Sequence, residues 1–547
     1  MKNRRAVLPH SYSWLYMFPV LFIIVWAIAS LTWPFGWDQG IYAWMGDVIN
    51  QGGLPYRDAW DLKGPLSPYI FAGTQLLFGH SMWAIRLFDL LMLLVASGML
   101  AILVSNLTNK TVALWATFLF VLWFASGNFW NTAQPDGWVS MIVLIGMTPL
   151  LIARDSIRWY LALFAGMCIG CAILIKPLFI LYLLLVLMAI SLQDWPRKSR
   201  IFMNWILVLV GSAFLLVISA GWFAYHGALS DLIEGSIIYP LKIYSGINRL
   251  SIGSLIQRIT TYAISGGGIA LIFPIIGLGV LMLWRISKKK AVVVVFWILI
   301  SFFIVIVQNR YYAYQWVIIY PPIVLLCAVG FHTIFFLNQS TVSEPKAQHR
   351  QPVQLLGIFM LVVIIFYATI HPLFEVSKWI SYISNRNSRE QYYDSFGIPG
   401  SDIQAANYIQ ERTTEGDKIF IWGWNASIYF LSSRQSSSRF GYSLPLLMGE
   451  GTEVREAYRL ELLGDLSSNP PVYIVVAPLA DDIVGKKYFL SDFTGFADFL
   501  STRYVEEKVF GDLIIYHLKR NSSVNTGGRI FGLRTLVFRM NSINSLH

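Results

Sequence analysis

The residues best suited to chemistry crowd into one short stretch near the N-terminus. Asp38, Asp47, Asp58 and Asp61 share residues 38–65 with Arg57 and Lys63, and the stretch is flanked by long apolar runs. Charge next to such runs is costly, roughly 2.5–3.5 kcal/mol at the centre of a membrane helix, so it marks function by default. Interleaved Trp37, Tyr42, Trp44, Tyr56 and Trp60 carry the amphipathic rings that favour the headgroup layer. Asp38 stands just past the first apolar run. A carboxylate there can serve as general base for a hydroxyl, an effect typically of about 10²–10⁴ in rate, or it can simply cap a helix beginning near Gln39. Lys63 is carried on a path fixed by Gly and Pro, where a compact cation pairs with phosphate or snorkels as a membrane anchor. Arg86 has the same two readings, with a local contact to Asp89 as the plainer alternative. Asp136 follows Pro135, a residue suited to the first helical position, and so falls in a helical first turn. Lys176-Pro177, Tyr239-Pro240, Tyr244, and Arg310 with Tyr311, Tyr312 and Tyr314 complete the set of polar and aromatic residues at the edges of apolar runs.

The elements that must position these side chains follow from hydropathy. The chain has 547 residues, 56% of them hydrophobic and 13% charged, with a mean hydropathy of +0.57, which predicts a polytopic membrane protein. About 20 mainly apolar residues cross the hydrocarbon layer. By that rule spans are expected at 14–33, 82–106, 111–127, 135–153, 159–175, 177–192, 204–225, 266–284, 291–307, 311–336 and 353–374, about eleven in all. Residues 66–79 read as a tilted or interfacial helix. Ile41, Tyr42, Trp44, Met45, Val48 and Ile49 fit one face of an interfacial helix. The first span lacks a small-residue cleavage site and reads as an uncleaved anchor. No internal repeat is evident.

The net charge of +11 does not point to nucleic acid, because most of the excess lies in short loops. On the N-terminal side stand KNRR (2–5), Lys110, Arg154, Arg158, RKSR (197–200), RISKKK (285–290), Lys346 and Arg350. The opposite loops hold Arg57, Lys63, Arg86, Lys176, Lys242, Arg249, Arg258 and Arg310, about eight against about fifteen. The N-terminus is therefore expected in the cytoplasm and the Asp38 loop outside, in a multi-pass protein of the cytoplasmic (inner) membrane. The edge-placed polar residues then gather on one face, as around a single polar cavity open to the outer leaflet. Cys168, Cys171 and Cys327 all lie in apolar runs, so the CxxC at helical spacing reads as packing rather than a redox or metal motif.

After residue 375 the apolar runs shrink to strand length, at 419–424, 472–477 and 513–518, between amphipathic stretches such as 402–413. This pattern predicts an α/β domain over 376–520, extracytoplasmic by the odd number of spans. Residues 521–547 read as a basic, loose tail. The expected organisation is thus a transmembrane domain, 1–375, containing a first external loop at 34–68, followed by a C-terminal extracytoplasmic α/β domain.

The run D-x-x-x-Y from Asp38, then GGLPYRD-x-WD-x-KGPL, LFG and AIRLFDLL resembles the amino-terminal region of the GT-C superfamily. These are polytopic glycosyltransferases that use lipid-phosphate sugars, among them protein mannosyltransferases and aminoarabinose transferases. QPD at 134–136, Lys176-Pro177 and RYYAYQWVIIYPP at 310–322 fit as well. The resemblance covers most of 10–375 in layout but only the first loop in detail. It implies Asp38 as catalytic base, Lys63 as donor-phosphate contact and Asp136 as a second acid in the outer cavity. Arg86 and Arg310 are implied as further phosphate partners. Arg57, Asp61, Tyr42 and Tyr56 complete the expected substrate-binding set. Gln39 replaces the Glu usual in protein mannosyltransferases, and Leu62 separates Asp61 from Lys63 where aminoarabinose transferases place an acid directly before the lysine. With these departures the chain resembles the broad bacterial group whose acceptors are undefined.

The implied partners are a polyprenyl-monophosphate sugar donor, a glycan or lipid acceptor ahead of a protein one, and the bilayer itself. No cofactor is evident, and the loop lacks a His cluster, though a divalent metal is left open. A transporter or flippase of lipid-linked sugars would use the same spans and cations, but it predicts symmetry between halves and broken helices at mid-membrane. A binding or assembly role for the C-terminal domain, with the spans as anchor, is a third reading.

Overall fold

The computed structural model describes residues 14–154, 156–244, 272–335, 350–477 and 490–519, together with 253, 256, 257 and 260. The basic residues at 2–5, Arg249, Arg258, Lys346 and the tail 521–547 lie outside the described residues. The chain divides into two compact units. The first comprises the described residues of Met1–Gln39, Leu62–Pro240 and Arg249–Ile398; the second comprises those of Gly40–Asp61, Leu241–Asn248 and Pro399–His547. The second unit begins its C-terminal stretch at Pro399 and also takes in residues 40–61 of the first loop.

The first unit is helical. Its elements begin with α1 (Trp14–Ser30), the start of α2 (Trp37–Asn50), α3 (Leu66–Phe78), α4 (Met82–Leu107) and α5 (Lys110–Ser126). They continue with α6 (Pro135–Ile152), α7 (Trp159–Ile175), α8 (Tyr182–Asp194) and α9 (Lys198–Tyr225). Helices Phe273–Ile286, Lys288–Gln308, Tyr320–Phe335 and Arg350–Ile383 follow. Among the described residues, seven helices are long and apolar enough to cross a membrane: Met82–Leu107, Pro135–Ile152, Pro177–Asp194, Lys198–Tyr225, Lys288–Gln308, Ala313–Phe335 and Gln354–Ile383. Four shorter apolar helices, Pro19–Ser30, Lys110–Ser126, Trp159–Ile175 and Phe273–Ile286, lie where the sequence predicts further spans. The surface of the unit carries Leu94, Val217, Leu281, Phe303 and Phe359 well exposed, an apolar exterior suited to lipid and not to water.

Lipid supplies no hydrophobic drive between helices, so small residues let backbones approach. Gly166 on α7 faces Val208 on α9 so closely that a β-carbon would lie 2.3 Å from the Val208 carbonyl oxygen. Gly211 meets Leu163 O in the same way, and Ser212 Oγ donates to Gly166 O at 2.8 Å. Gly279 and Gly330 serve the same purpose between helices Phe273–Ile286 and Tyr320–Phe335.

The second unit is α/β. Among the described residues its sheet has five strands in the order β2-β1-β3-β5-β4, with β1 Lys418–Trp422, β2 Gln435–Ser436, β3 Tyr473–Val476, β4 Tyr504–Phe510 and β5 Leu513–Leu518. Strand β1 runs parallel to β2 and β3, while β5 is antiparallel to β3 and β4. Helices Ser401–Arg412, Glu453–Ser468 and Thr494–Arg503 accompany the sheet, and Trp422 stacks on Phe496 at 4.8 Å. Strand β4 is exposed along most of its length and carries Glu506, Glu507 and Lys508, the charge expected of an edge strand.

Residues 40–61 of the first loop contribute an integral part of this unit. Helix α2 is buried continuously from Gln39 to Asp47, which corrects the expectation of a one-sided interfacial helix. Small residues on its second face make that possible: a β-carbon on Gly40 would meet Ser427 N at 2.7 Å. Trp44 stacks on Tyr429 at 5.3 Å and lies flat against Gly441. Trp60 N donates to Arg439 O at 2.7 Å, and Arg439, itself paired with Glu461 through Nε and Nη2, donates to Tyr56 O.

Candidate active site

Asp38 lies in the first turn of α2, one residue inside the helix rather than at its cap. Its Oδ2 accepts from Lys63 Nζ at 2.9 Å, and both side chains are partly shielded. Lys63 reaches that position because Gly64 N donates to Ile175 O at 3.0 Å, docking the end of the loop on the end of α7. Only glycine fits, since a β-carbon at 64 would lie 2.1 Å from Leu174 O.

That docking brings in Lys176, the residue after Ile175, which lies within electrostatic range of Asp38, Lys63 and Asp136. Lys176 Nζ donates to Asp136 Oδ2 at 3.4 Å and to Gln308 Oε1. Gln308 Nε2 donates to Asp136 Oδ1 at 3.3 Å, and Gln315 Nε2 donates to Gln308 Oε1 at 2.8 Å. Asp136 is 1% exposed in the first turn of α6, with Pro135 leading the helix as expected. Two acids and two lysines thus form one cluster of alternating charge, and such a cluster can move a proton while receiving an anion.

Arg86 lies in α4 and is fully buried. It donates to Pro34 O, Gln39 Oε1, Thr132 O and Thr132 Oγ1. One turn along α4, Asp89 lies within electrostatic range of Arg86, and its Oδ1 accepts from Trp138 Nε1 at 2.8 Å. Arg310 is partly buried between Asn309 and Tyr311, both in the left-handed backbone region.

Tyr42, Tyr56, Arg57 and Asp61 belong to the second unit. Asp61 accepts from Tyr442 OH at 2.9 Å; Arg57 pairs with its neighbour Asp58; Tyr42 and Tyr56 are buried, Tyr56 with φ +70°. These contacts join the loop to its own unit. Sequence reasoning noted Lys176 without assigning it a role and missed Gln308 and Gln315. The only signal for those two was an amide at the end of one apolar run and another seven residues on. Among the described residues, no group of three or more His, Cys, Asp or Glu could hold a metal ion.

Spanning-length helices and an apolar exterior define a polytopic membrane protein, and an acid–lysine cluster stands at the start of its first loop. Residues 62–223 match the family model of dolichyl-phosphate-mannose-protein mannosyltransferase, and residues 402–482 match that of the Ccs4 C-terminal domain. ArnT from Cupriavidus metallidurans, solved bound to undecaprenyl phosphate, has a TM-score of 0.61 with this chain at 14% identity, covering 92% of this chain and 98% of that one. The same protein in its apo state gives 0.62 at the same identity and coverage. The Archaeoglobus fulgidus oligosaccharyltransferase gives 0.45 at 12% identity, over 84% of this chain and 69% of that one. No curated protein matches this chain in sequence.

Proposed function

We propose that this protein is an integral-membrane glycosyltransferase. It takes a sugar from a polyprenyl monophosphate at the outer leaflet of the cytoplasmic membrane and passes it to an extracytoplasmic glycan or lipid. The observation that carries this reading is the Lys63–Asp38 pair at 2.9 Å, beside Lys176, in a fold shared with a protein solved with undecaprenyl phosphate. Donor phosphate is received by Lys63 and Lys176. Asp38 removes the acceptor hydroxyl proton as that oxygen bonds to the anomeric carbon from the opposite face. The bond from anomeric carbon to phosphate oxygen breaks, and its electron pair leaves with the polyprenyl phosphate, whose added charge the lysines offset. The product anomer is inverted. Asp136, held by Lys176 and Gln308, orients sugar or acceptor hydroxyls. The lysine distribution supports a cytoplasmic N-terminus and an outside location for the C-terminal unit.

The test is transfer from polyprenyl-phosphate sugars in membranes containing wild type or Asp38→Asn. Loss of about 10²-fold or more in rate is expected for a missing general base. Near-normal turnover removes Asp38 from that role. Comparing envelope glycans and lipids from cells with and without the protein identifies the acceptor by one missing sugar.

A further inference from the structure

Arg86 is 1% exposed inside an apolar helix of spanning length, and its bonds go to two separate stretches of chain. Nη2 donates to Pro34 O at 2.5 Å and Gln39 Oε1 at 2.6 Å, on either side of the turn leading into Asp38. Nη1 donates to Thr132 O at 3.3 Å and to Thr132 Oγ1, four residues ahead of Asp136. Gln39 closes the triangle. Its Oε1 also accepts from Gly36 N at 2.8 Å, and its Nε2 donates to Thr132 O at 2.6 Å. One turn along α4, the Asp89 carboxylate accepts the Ala133 amide and Trp138 Nε1. Ala133 has φ +50°, a backbone conformation that a non-glycine residue holds only where its surroundings over-determine it. The turn that aims Asp136 is such a place.

We infer that Arg86 and Gln39 are positioning residues that set the two acids of the site relative to one another, and that Arg86 is not a ligand of the donor phosphate. This rests on the function proposed above. A planar guanidinium offers five donors in a fixed fork, which is what four acceptors on two chain segments require. Lysine has no such fork. The amide at 39 is equally specific, since it must accept from Arg86 and donate to a carbonyl at once. A glutamate there keeps the first bond and sets a carboxylate oxygen against Thr132 O.

The experiment uses the full chain in lipid nanodiscs, with undecaprenyl monophosphate as binding probe and a polyprenyl-phosphate sugar for turnover. Arg86→Lys and Gln39→Glu are expected to bind undecaprenyl monophosphate within about twofold of wild type and to keep the donor KM. Their kcat falls by about tenfold or more, the scale of one lost charge-assisted hydrogen bond. Lys63→Gln shows the opposite pattern and weakens probe binding by about tenfold or more. Probe affinity that falls in Arg86→Lys as far as in Lys63→Gln overturns the inference, as does full kcat in a folded Gln39→Glu. Thermal unfolding identifies any variant that fails to fold; Gln39→Glu, which keeps the guanidinium, then decides alone. A wild type that neither binds the probe nor transfers sugar sinks the proposed function instead.

Discussion

The amide of Gly64 donates to the carbonyl of Ile175 across 3.0 Å, and this single backbone bond brings Lys63, which precedes one partner, near Lys176, which follows the other. The loop can come so close only because residue 64 has no side chain. A β-carbon there would sit 2.1 Å from Leu174 O. Gly64→Ala is therefore expected to push the loop off α7 and lower transfer by about tenfold or more, on the precedent that ångström misplacements near chemistry cost up to about 10² in rate. Gly73→Ala is the control. It sits in α3, where an added β-carbon would meet nothing within 4 Å, and there alanine should stabilise by about 0.5–1 kcal/mol. Parallel turnover and thermal unfolding measurements check both.

Asp136 is almost wholly buried, with Lys176 as its ion-pair partner at 3.4 Å. Lys176→Met leaves a carboxylate with only an amide donor, Gln308, among the bonds described above, and should destabilise the fold by about 3–5 kcal/mol. Asp136→Asn combined with Lys176→Met removes both charges and should recover much of that loss. The coupling appears in a double-mutant cycle of denaturation midpoints. Additive losses would mean that the pair contributes nothing.

Gly166 on α7 lies within van der Waals contact of the Val208 backbone on α9. Gly166→Leu must separate these helices, and a loss of about 1–3 kcal/mol or more is expected, as for other overpacked contacts. The readout is the thermal unfolding midpoint in detergent, where Gly221→Leu, with nothing within 4 Å of its added carbon, should behave like wild type.

Tyr442 OH donates to Asp61 Oδ1 at 2.9 Å within the second unit, where Asp61 is 4% exposed. Tyr442→Phe deletes that donor and leaves a buried carboxylate short of a partner, at a cost of about 1–3 kcal/mol. Hydrogen exchange should quicken at the amides of residues 54–60, which the same unit holds through Trp60 N and Arg439. Unchanged protection there would show that the Arg439 contacts alone fix the loop.

Much of the first unit was legible in the sequence. Apolar runs of spanning length have few alternative folds, because lipid leaves every backbone amide to be satisfied within the helix. Pro135 opens α6 and Lys176 follows the end of α7, both as expected, since proline and its neighbours constrain the backbone locally. Strands β1, β3 and β5 coincide with the three predicted apolar runs. The misses have a common cause. Strand β2 is two residues long, and β4 is an exposed edge rich in charge, so neither leaves an apolar run to detect. The one-sided reading of α2 failed because Gly40 and Ala43, outside the predicted apolar face, are buried in the fold, Gly40 so close to Ser427 that a β-carbon would lie 2.7 Å from its amide nitrogen.

The sequence alone determined the class of the protein and singled out Asp38, Lys63 and Asp136, because charge beside apolar spans is too costly to be incidental. Tertiary structure alone decided which cations meet which acids. Lys63 pairs with Asp38 across 25 residues, Lys176 with Asp136 across 40, and Gln308 joins from 172 residues away. Hydropathy marks where apolar helices form; only their packing, through close glycine contacts such as Gly64 on Leu174 and Gly166 on Val208, fixes which ends come together.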